Sequence, residues 1–262
     1  MKFAILAAGE GSRLAQEGVE LPKPLVKING EAMIDRLIRI FKDNGAEEIV
    51  IITNNLTPLT QNHLRDLQTK DESIKLIVKT TPSSMHSFYE LKPLIGNGKF
   101  CLTTVDTIFR EKEFGEYIDA FKAYEGDGMM AVTDYIDDEK PLYISTDAEM
   151  NITGFHDSLE NFAASEPGKD GKSVCKYISG GIYCLNEKAF TTLDKCINSG
   201  MSRMRNFQRA LLTDGLQLKA FPFTKVIDVL KPILPRHIER WKNMKMENWK
   251  KNIHAIKYYA RV

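Results

Sequence analysis

Residues 1–30 read MKFAILAAGEGSRLAQEGVELPKPLVKING, and this stretch decides the fold. Six apolar residues, Phe3 to Ala8, make a buried strand. Gly9, Gly11 and Arg13 follow at once, and ten positions later comes Lys23, held between Pro22 and Pro24. A glycine loop leaving a strand lets backbone N–H groups approach phosphate oxygens closely. GEGSRL lacks the GK[ST] ending of a P-loop, and Leu14 stands where a dinucleotide fingerprint needs its third glycine. What remains is a loop whose Arg13 can fork onto phosphate oxygens. The prolines restrict the backbone on both sides of Lys23. An ammonium fixed in this way suits charge that develops in a transition state. An ordinary proline-bounded turn is the competing reading.

Working outward, strands alternate with helical patterns. EAMIDRLIRIFKDNG places Met33, Ile34, Leu37, Ile38 and Phe41 at helical spacing and stops at Asn44-Gly45. EEIVIIT, IKLIVK and KFCLTTV read as strands; TPLTQNHLRDLQ, SSMHSFYELKPLI and FGEYIDAFKAY read as helices. This rhythm predicts an α/β fold, a Rossmann-like, mostly parallel sheet flanked by helices. In such sheets ligands sit at the carboxyl ends of the strands. After Gly128 come short strands, MMAVTDY, PLYIST, NITGF and VCKYISGGIYCL, which predict a mixed second half forming the wall of a pocket. The polar run from Asp157 to Ser173 predicts a mobile loop. Pro235 to Val262 predicts a long C-terminal helix with eight Lys or Arg and a stripe of Ile238, Trp241, Trp249, Ile253 and Ile256. That stripe packs on the body of the protein or on a second subunit, making a homo-oligomer. The expected division is residues 1–127 for a first, parallel half, 128–234 for a second, mixed half and 235–262 for the terminal helix.

The bulk numbers narrow the class. The 262 residues are 43% hydrophobic and carry a formal net charge of +1, which gives no reason to expect nucleic acid or membrane as a partner. No run reaches the ~18 apolar residues of a membrane helix, and the first apolar run is too short for a signal segment. Cys101, Cys175, Cys184 and Cys196 show no CxxC spacing and predict reduced residues of a cytoplasmic protein.

Together, LAAGEGSRL and PKPLVKING resemble the paired motif of the nucleotidylyltransferases that make nucleotide-sugars. KFCLTTVDTIF is similar to that family's strand ending in a metal-binding aspartate, here Asp106. VCKYISGGIYCL resembles its sugar-contacting strand. TKVIDV resembles the segment carrying a second metal aspartate, here Asp228. The resemblance implies an Mg²⁺-dependent reaction between a nucleoside triphosphate and a phosphorylated small-molecule acceptor, a sugar 1-phosphate. It implies nucleotide binding by Leu6, Ala7, Ala8, Gly9, Glu10, Gly11, Ser12 and Arg13, with Thr81 and Ser84 from the base-reading region. Arg13, Lys23 and Asp106 become the catalytic residues, Asp106 and Asp228 the Mg²⁺ ligands. Lys176, Ser179, Gly180 and Gly181 become the acceptor contacts. Taken alone, Asp106 could cap a turn and Asp228 could start a helix.

The chain also departs from the family pattern. Met85-His86-Ser87 replaces the Gly-Thr pair that reads the base, and SFYELKPL looks closer to the phosphocholine cytidylyltransferases. His156-Asp157-Ser158 stands where Glu-Lys-Pro is usual, leaving Lys176 as the candidate acceptor-phosphate lysine. Choline would need an aromatic cage, for which Phe88, Tyr89, Tyr177 and Tyr183 are the candidates. A binding regulator without catalysis is the reading from another class, and Arg13, Lys23, Asp106 and Asp228 speak against it. A glycosyltransferase would want a DxD motif, whereas Thr107-Ile108 follows Asp106. His86, His156 and the run Asp137-Asp138-Glu139 read as surface or supporting residues.

Overall fold

The computed structural model describes residues 1–9, 21–136, 140–165 and 173–228, with 164–165 and 227–228 described by backbone alone. Glu10, Gly11, Ser12, Arg13, the Asp137–Glu139 run and the 235–262 segment lie outside the described residues.

The first strand, β1 (Lys2–Ala7), lies in the interior of a nine-stranded sheet. It pairs in parallel with β4 (Ile49–Thr53) on one side and β6 (Phe100–Thr104) on the other, and β4 pairs in parallel with β5 (Ile74–Val78). These strands are apolar on both faces because helices cover both. On one face α1 (Met33–Asp43) and α4 (Glu111–Ala123) bring Phe41 and Phe114 onto Phe3 and Phe109. On the other, α3 (Ser84–Ile95) brings Phe88 against Phe100, Phe190 and Phe207. The helix α2 (Pro58–Lys70) follows β4, with Thr60 and Leu64 as its buried residues. A hairpin of β2 (Lys27–Ile28) and β3 (Glu31–Ala32) turns on Asn29-Gly30, both at positive φ, the geometry that an Asn-Gly turn favours.

The second half continues the same sheet with mixed direction. The long strand β11 (Val174–Leu185) runs antiparallel to β6, to β8 (Gly128–Thr133) and to β9 (Tyr143–Thr146). β10 (Ile152–His156) adds to β9, and β12 (Leu218–Pro222) runs parallel to β8. Ile178 pairs with Thr133 on one side and Tyr143 on the other. β11 therefore changes partner on one edge, from β6 to β9, across Gly180-Gly181. The two short strands β7 (Thr107–Ile108) and β13 (Ile227–Asp228) pair antiparallel at the end of β6.

Three elements differ from the sequence reading. The run after Asp157 opens as a helix, α5 (Leu159–Ser165), capped where Ser158 Oγ accepts the Asn161 N–H at 3.1 Å, so it is not a loop throughout. Pro167 lies outside the described residues. Two further helices, α6 (Lys188–Asn198) and α7 (Met204–Thr213), fill the second half, which the strand-rich pattern had suggested was poor in helix. Their apolar spacing, Phe190, Leu193 and Cys196 in α6 and Phe207 and Leu211 in α7, was the signal for them. Cys101, Cys184 and Cys196 are buried, Cys175 is half-buried, and all four thiols are free. Among the described residues no helix is long and apolar enough to cross a membrane.

Candidate active site

The carboxyl ends of β1, β4, β5 and β6 lie on one edge of the sheet because these strands are parallel. The same edge carries the carboxyl ends of β8 and β12 and the Gly180-Gly181 stretch of β11, since β11 runs the other way.

Ala8 and Gly9 leave β1 at this edge. Their carbonyls are pinned from the neighbouring strand: Asn54, just past β4, donates its Nδ2 to Ala8 O at 3.1 Å and to Gly9 O at 3.2 Å. Asn54 is 1% exposed, and its Oδ1 accepts the Leu56 N–H and the Thr57 hydroxyl. Its buried amide is thus fully occupied, and it fixes Ala8 and Gly9 where they leave β1. Sequence reasoning missed it, since an asparagine after a strand reads as a turn former.

Lys23 sits in a single 3-10 turn, Lys23–Leu25, with Pro24 buried beneath it. Its ammonium forms an ion pair with the Asp106 carboxylate. Asp106 follows β6 and is 3% exposed. The loop that carries it is tied at both ends: Val105 N–H donates to Leu6 O at 3.1 Å, and the Thr104 and Thr107 hydroxyls meet at 2.8 Å. Asp228 stands opposite Thr107 in the β13–β7 register, so its backbone is one residue step from that of Asp106. Two acidic positions 122 apart in sequence are thereby adjacent at one strand end. A carboxylate set of this kind has the chemistry of a hard-cation site, in which Mg²⁺ takes one or two carboxylates plus phosphate oxygens.

Gly181 has φ +72°, its carbonyl accepts the Thr103 hydroxyl at 3.3 Å, and a Cβ there would stand 3.8 Å from Thr107 Oγ1. Its neighbour Gly180 is favoured for a different reason: a Cβ would meet Ala131 O at 3.0 Å and Val226 Cγ2 at 3.2 Å, tighter than side chains usually pack. Glycine at 181 allows the left-handed backbone, and glycine at 180 lets β11 lie close to β8 and Val226. Ser179 turns to the opposite face and donates to Gln208 Oε1 at 3.2 Å, while Gln208 Nε2 reaches the Tyr183 hydroxyl at 3.4 Å. Lys176 is exposed, with its ammonium 4.9 Å from the Tyr177 ring centroid, on the part of β11 paired with β9.

Thr81 and Ser84 lie past the end of β5. The Thr81 hydroxyl meets Ser87 Oγ at 2.5 Å; Ser84 is exposed on the first turn of α3. Ser83 caps that helix by accepting the His86 N–H, and the His86 ring returns to the same hydroxyl at 2.9 Å. His156 likewise has a supporting position, 3.0 Å from Ser145 Oγ. The four aromatic candidates do not gather at the edge. Phe88 is 0% exposed inside the core, Tyr177 and Tyr183 are buried in the same cluster, and Tyr89 is exposed on α3.

The description of the nucleotidyl transferase family matches residues 2–244, and the chain belongs to that family. It is 24% identical to a probable glucose-1-phosphate cytidylyltransferase of Bacillus subtilis strain 168, over 95% of this chain and 99% of that protein. It is 27% identical to a probable mannose-1-phosphate guanylyltransferase of Oryza sativa subsp. japonica, over 74% of this chain and 52% of that one. The chain spans about half the length of several curated relatives it matches, that one included. In fold it is similar to a CTP:phosphocholine cytidylyltransferase from Streptococcus pneumoniae, with a TM-score of 0.65, 18% identity, and coverage of 92% of this chain and 99% of that one.

Proposed function

We propose that this chain catalyses nucleotidylyl transfer from a nucleoside triphosphate to a sugar phosphate. The observation that carries the reading is the Lys23–Asp106 pair, set at the carboxyl edge between the β1 loop and the β6 end, with Asp228 one step away. An oxygen of the acceptor phosphate attacks the α-phosphorus. A new P–O bond forms, the bond from the α-phosphorus to the bridging oxygen breaks, and its electron pair leaves with pyrophosphate. Negative charge gathers on the α-phosphate while both oxygens are partly bonded, so catalysis rests on positioning and charge neutralisation. The Lys23 ammonium supplies one fixed positive charge. Arg13 is assigned to the departing pyrophosphate. The stretch from Leu6 to Ser12, whose Ala8 and Gly9 carbonyls Asn54 holds, is assigned to the triphosphate, with Thr81 and Ser84 assigned to the base.

Asp106 and Asp228 are the residues that would hold Mg²⁺. The bound ion supplies further positive charge where the triphosphate oxygens converge. On this reading residues 1–127 form the nucleotide half. Residues 128–234 form the acceptor half, with Gly180 and Gly181 lining its wall through their backbone and Ser179 supporting it from the opposite face through Gln208.

A sugar phosphate is favoured over phosphocholine as acceptor. Phe88, one of the four candidate walls for a choline cage, is committed to the core with Phe100, Phe190 and Phe207. The test is pyrophosphate release with each nucleoside triphosphate, Mg²⁺, and glucose 1-phosphate, mannose 1-phosphate or phosphocholine. The reading expects release that depends on a sugar phosphate. Release with phosphocholine alone would overturn the acceptor assignment.

A further inference from the structure

The long strand β11 carries more residues than β8 where it passes the carboxyl edge. Ser179 pairs with Val132 and Tyr183 with Met130, so Gly180, Gly181 and Ile182 stand against the single residue Ala131. This is a β-bulge, a device that bends a strand and re-aims it beside a site. Gly181, at φ +72°, belongs to the bulge and lies beside Thr107, the residue after Asp106.

Two buried hydroxyls hold the bulge. One is that of Thr103 in β6, 0% exposed, shared between Gly181 O and Thr104 O at 3.3 Å each. The other is that of Tyr117 in α4, also 0% exposed. It accepts the Cys184 N–H at 2.9 Å and donates to Met129 O at 2.6 Å, with Ile182 O at 3.5 Å. Cys184 and Met129 are register partners, so the phenol joins β11 to β8 where the bulge ends. Its ring is set by Phe114, Phe221 and Phe223. Burial pushes the phenol's pKa above its ordinary value, so the donor persists at neutral pH. A ring without the hydroxyl leaves the Cys184 N–H and the Met129 carbonyl without this partner, and buried backbone groups left so favour closing the two strands on each other. Closure at that point shifts the bulge.

We propose that Tyr117 is a positioning residue of the acceptor wall, its hydroxyl fixing the β11 bulge that sets Gly180 and Gly181 at the carboxyl edge. This rests on the nucleotidylyl-transfer reading above, which takes the two glycines as that wall. Tyr117 acts through the backbone of β11 and not by touching substrate.

The test uses the full chain and steady-state pyrophosphate release, with glucose 1-phosphate and mannose 1-phosphate as acceptor probes. Tyr117→Phe removes the hydroxyl and keeps the ring. It should raise the acceptor KM about fivefold, the scale of one lost buried hydrogen bond, while the nucleotide KM stays within about twofold. A role confined to folding would lower the thermal midpoint and leave the acceptor KM where it was. Thr103→Val should shift the acceptor KM in the same direction, and Thr103→Ser, which keeps the hydroxyl, should retain most of the acceptor affinity. That pair carries the test if Tyr117→Phe does not fold. An active enzyme whose acceptor KM is unmoved in Tyr117→Phe, or in Thr103→Val where that pair stands in, overturns this assignment alone, as do acceptor and nucleotide KM values that rise together. A wild-type chain that releases no pyrophosphate with any pair overturns the parent reading and this one with it.

Discussion

Lys23 and Asp106, 83 positions apart in the chain, close on each other in an ion pair that leaves 11% of one side chain and 4% of the other exposed. Each neutralises the other. In the proposed reaction the ammonium serves the α-phosphate and the carboxylate a cation, so the two residues' roles are separable by mutation.

Removing the lysine should act twice. Lys23→Ala should lower turnover by at least ~10²-fold, the scale of a lost preorganised charge that faces the transition state. It also leaves Asp106 buried without its cation, which costs folding stability. The thermal midpoint should therefore fall in metal-free buffer and recover in part with Mg²⁺, because a ligand that binds only the folded state stabilises it. Calorimetry with and without Mg²⁺ reads both effects. A midpoint indifferent to Mg²⁺ in this variant would argue against Asp106 as a cation ligand.

The two aspartates should behave as one unit. Asp106→Asn and Asp228→Asn should each raise the Mg²⁺ concentration for half-maximal rate, since an octahedral Mg²⁺ site tolerates few lost oxygen ligands. The double variant should be little worse than the poorer single, because both act through one ion. Additive losses in a metal titration would show two independent roles instead.

Asn54 should matter through the loop it holds. Asn54→Ala removes both hydrogen bonds to the Ala8 and Gly9 carbonyls, so nucleotide KM should rise several-fold while acceptor KM changes little. Asn54→Asp should be worse than Asn54→Ala, because a carboxylate faces two carbonyl oxygens. Equal kinetics for the three proteins would reduce Asn54 to a turn residue.

These residues differ in how far sequence alone reveals them. β1, the PKP turn and the Asp106 strand end are local patterns, and local patterns survive without knowledge of the fold. Asn54 acts on residues 45 and 46 positions away, a relationship set by the β1–β4 register. Tyr117 is harder still, because FGEYIDAFKAY shows it only as a core position of a helix, while its hydroxyl acts on Met129 and Cys184, 12 and 67 positions away. The helices α6 and α7 carry their amphipathic signal openly, but the run of short strands before them suggested a half built from sheet. Gly180-Gly181 was legible as a strand feature, whereas its reason, a change of partner from β6 to β9, is a fact of topology.

The segment after β10 should weaken in acid. The Asp157 carboxyl is held below the usual range chiefly by its hydrogen bond to Arg209; partial burial pushes the other way, and Arg205 adds to the lowering. A lowered folded-state pKa gives stabilisation that is complete above the ordinary carboxylate value and is lost as pH falls through the lowered one. The pair is half exposed, so the effect is local and small. Hydrogen exchange at α5 should accelerate relative to β1 as pH is lowered past that range, after correction for intrinsic rates. Asp157→Asn should remove the difference, and an unchanged profile would show that the arginines do not anchor this segment.

The central claim is that the α-phosphorus of a nucleoside triphosphate is transferred to a phosphorylated acceptor. It is tested most directly by following isotopic label from the α- and γ-positions separately, with wild-type protein, Mg²⁺ and a sugar 1-phosphate. The account predicts that α-label appears in the acceptor product, that γ-label leaves as pyrophosphate in equal amount, and that both signals collapse in Lys23→Ala. Transfer of γ-label to the acceptor, or its release as orthophosphate, would contradict it.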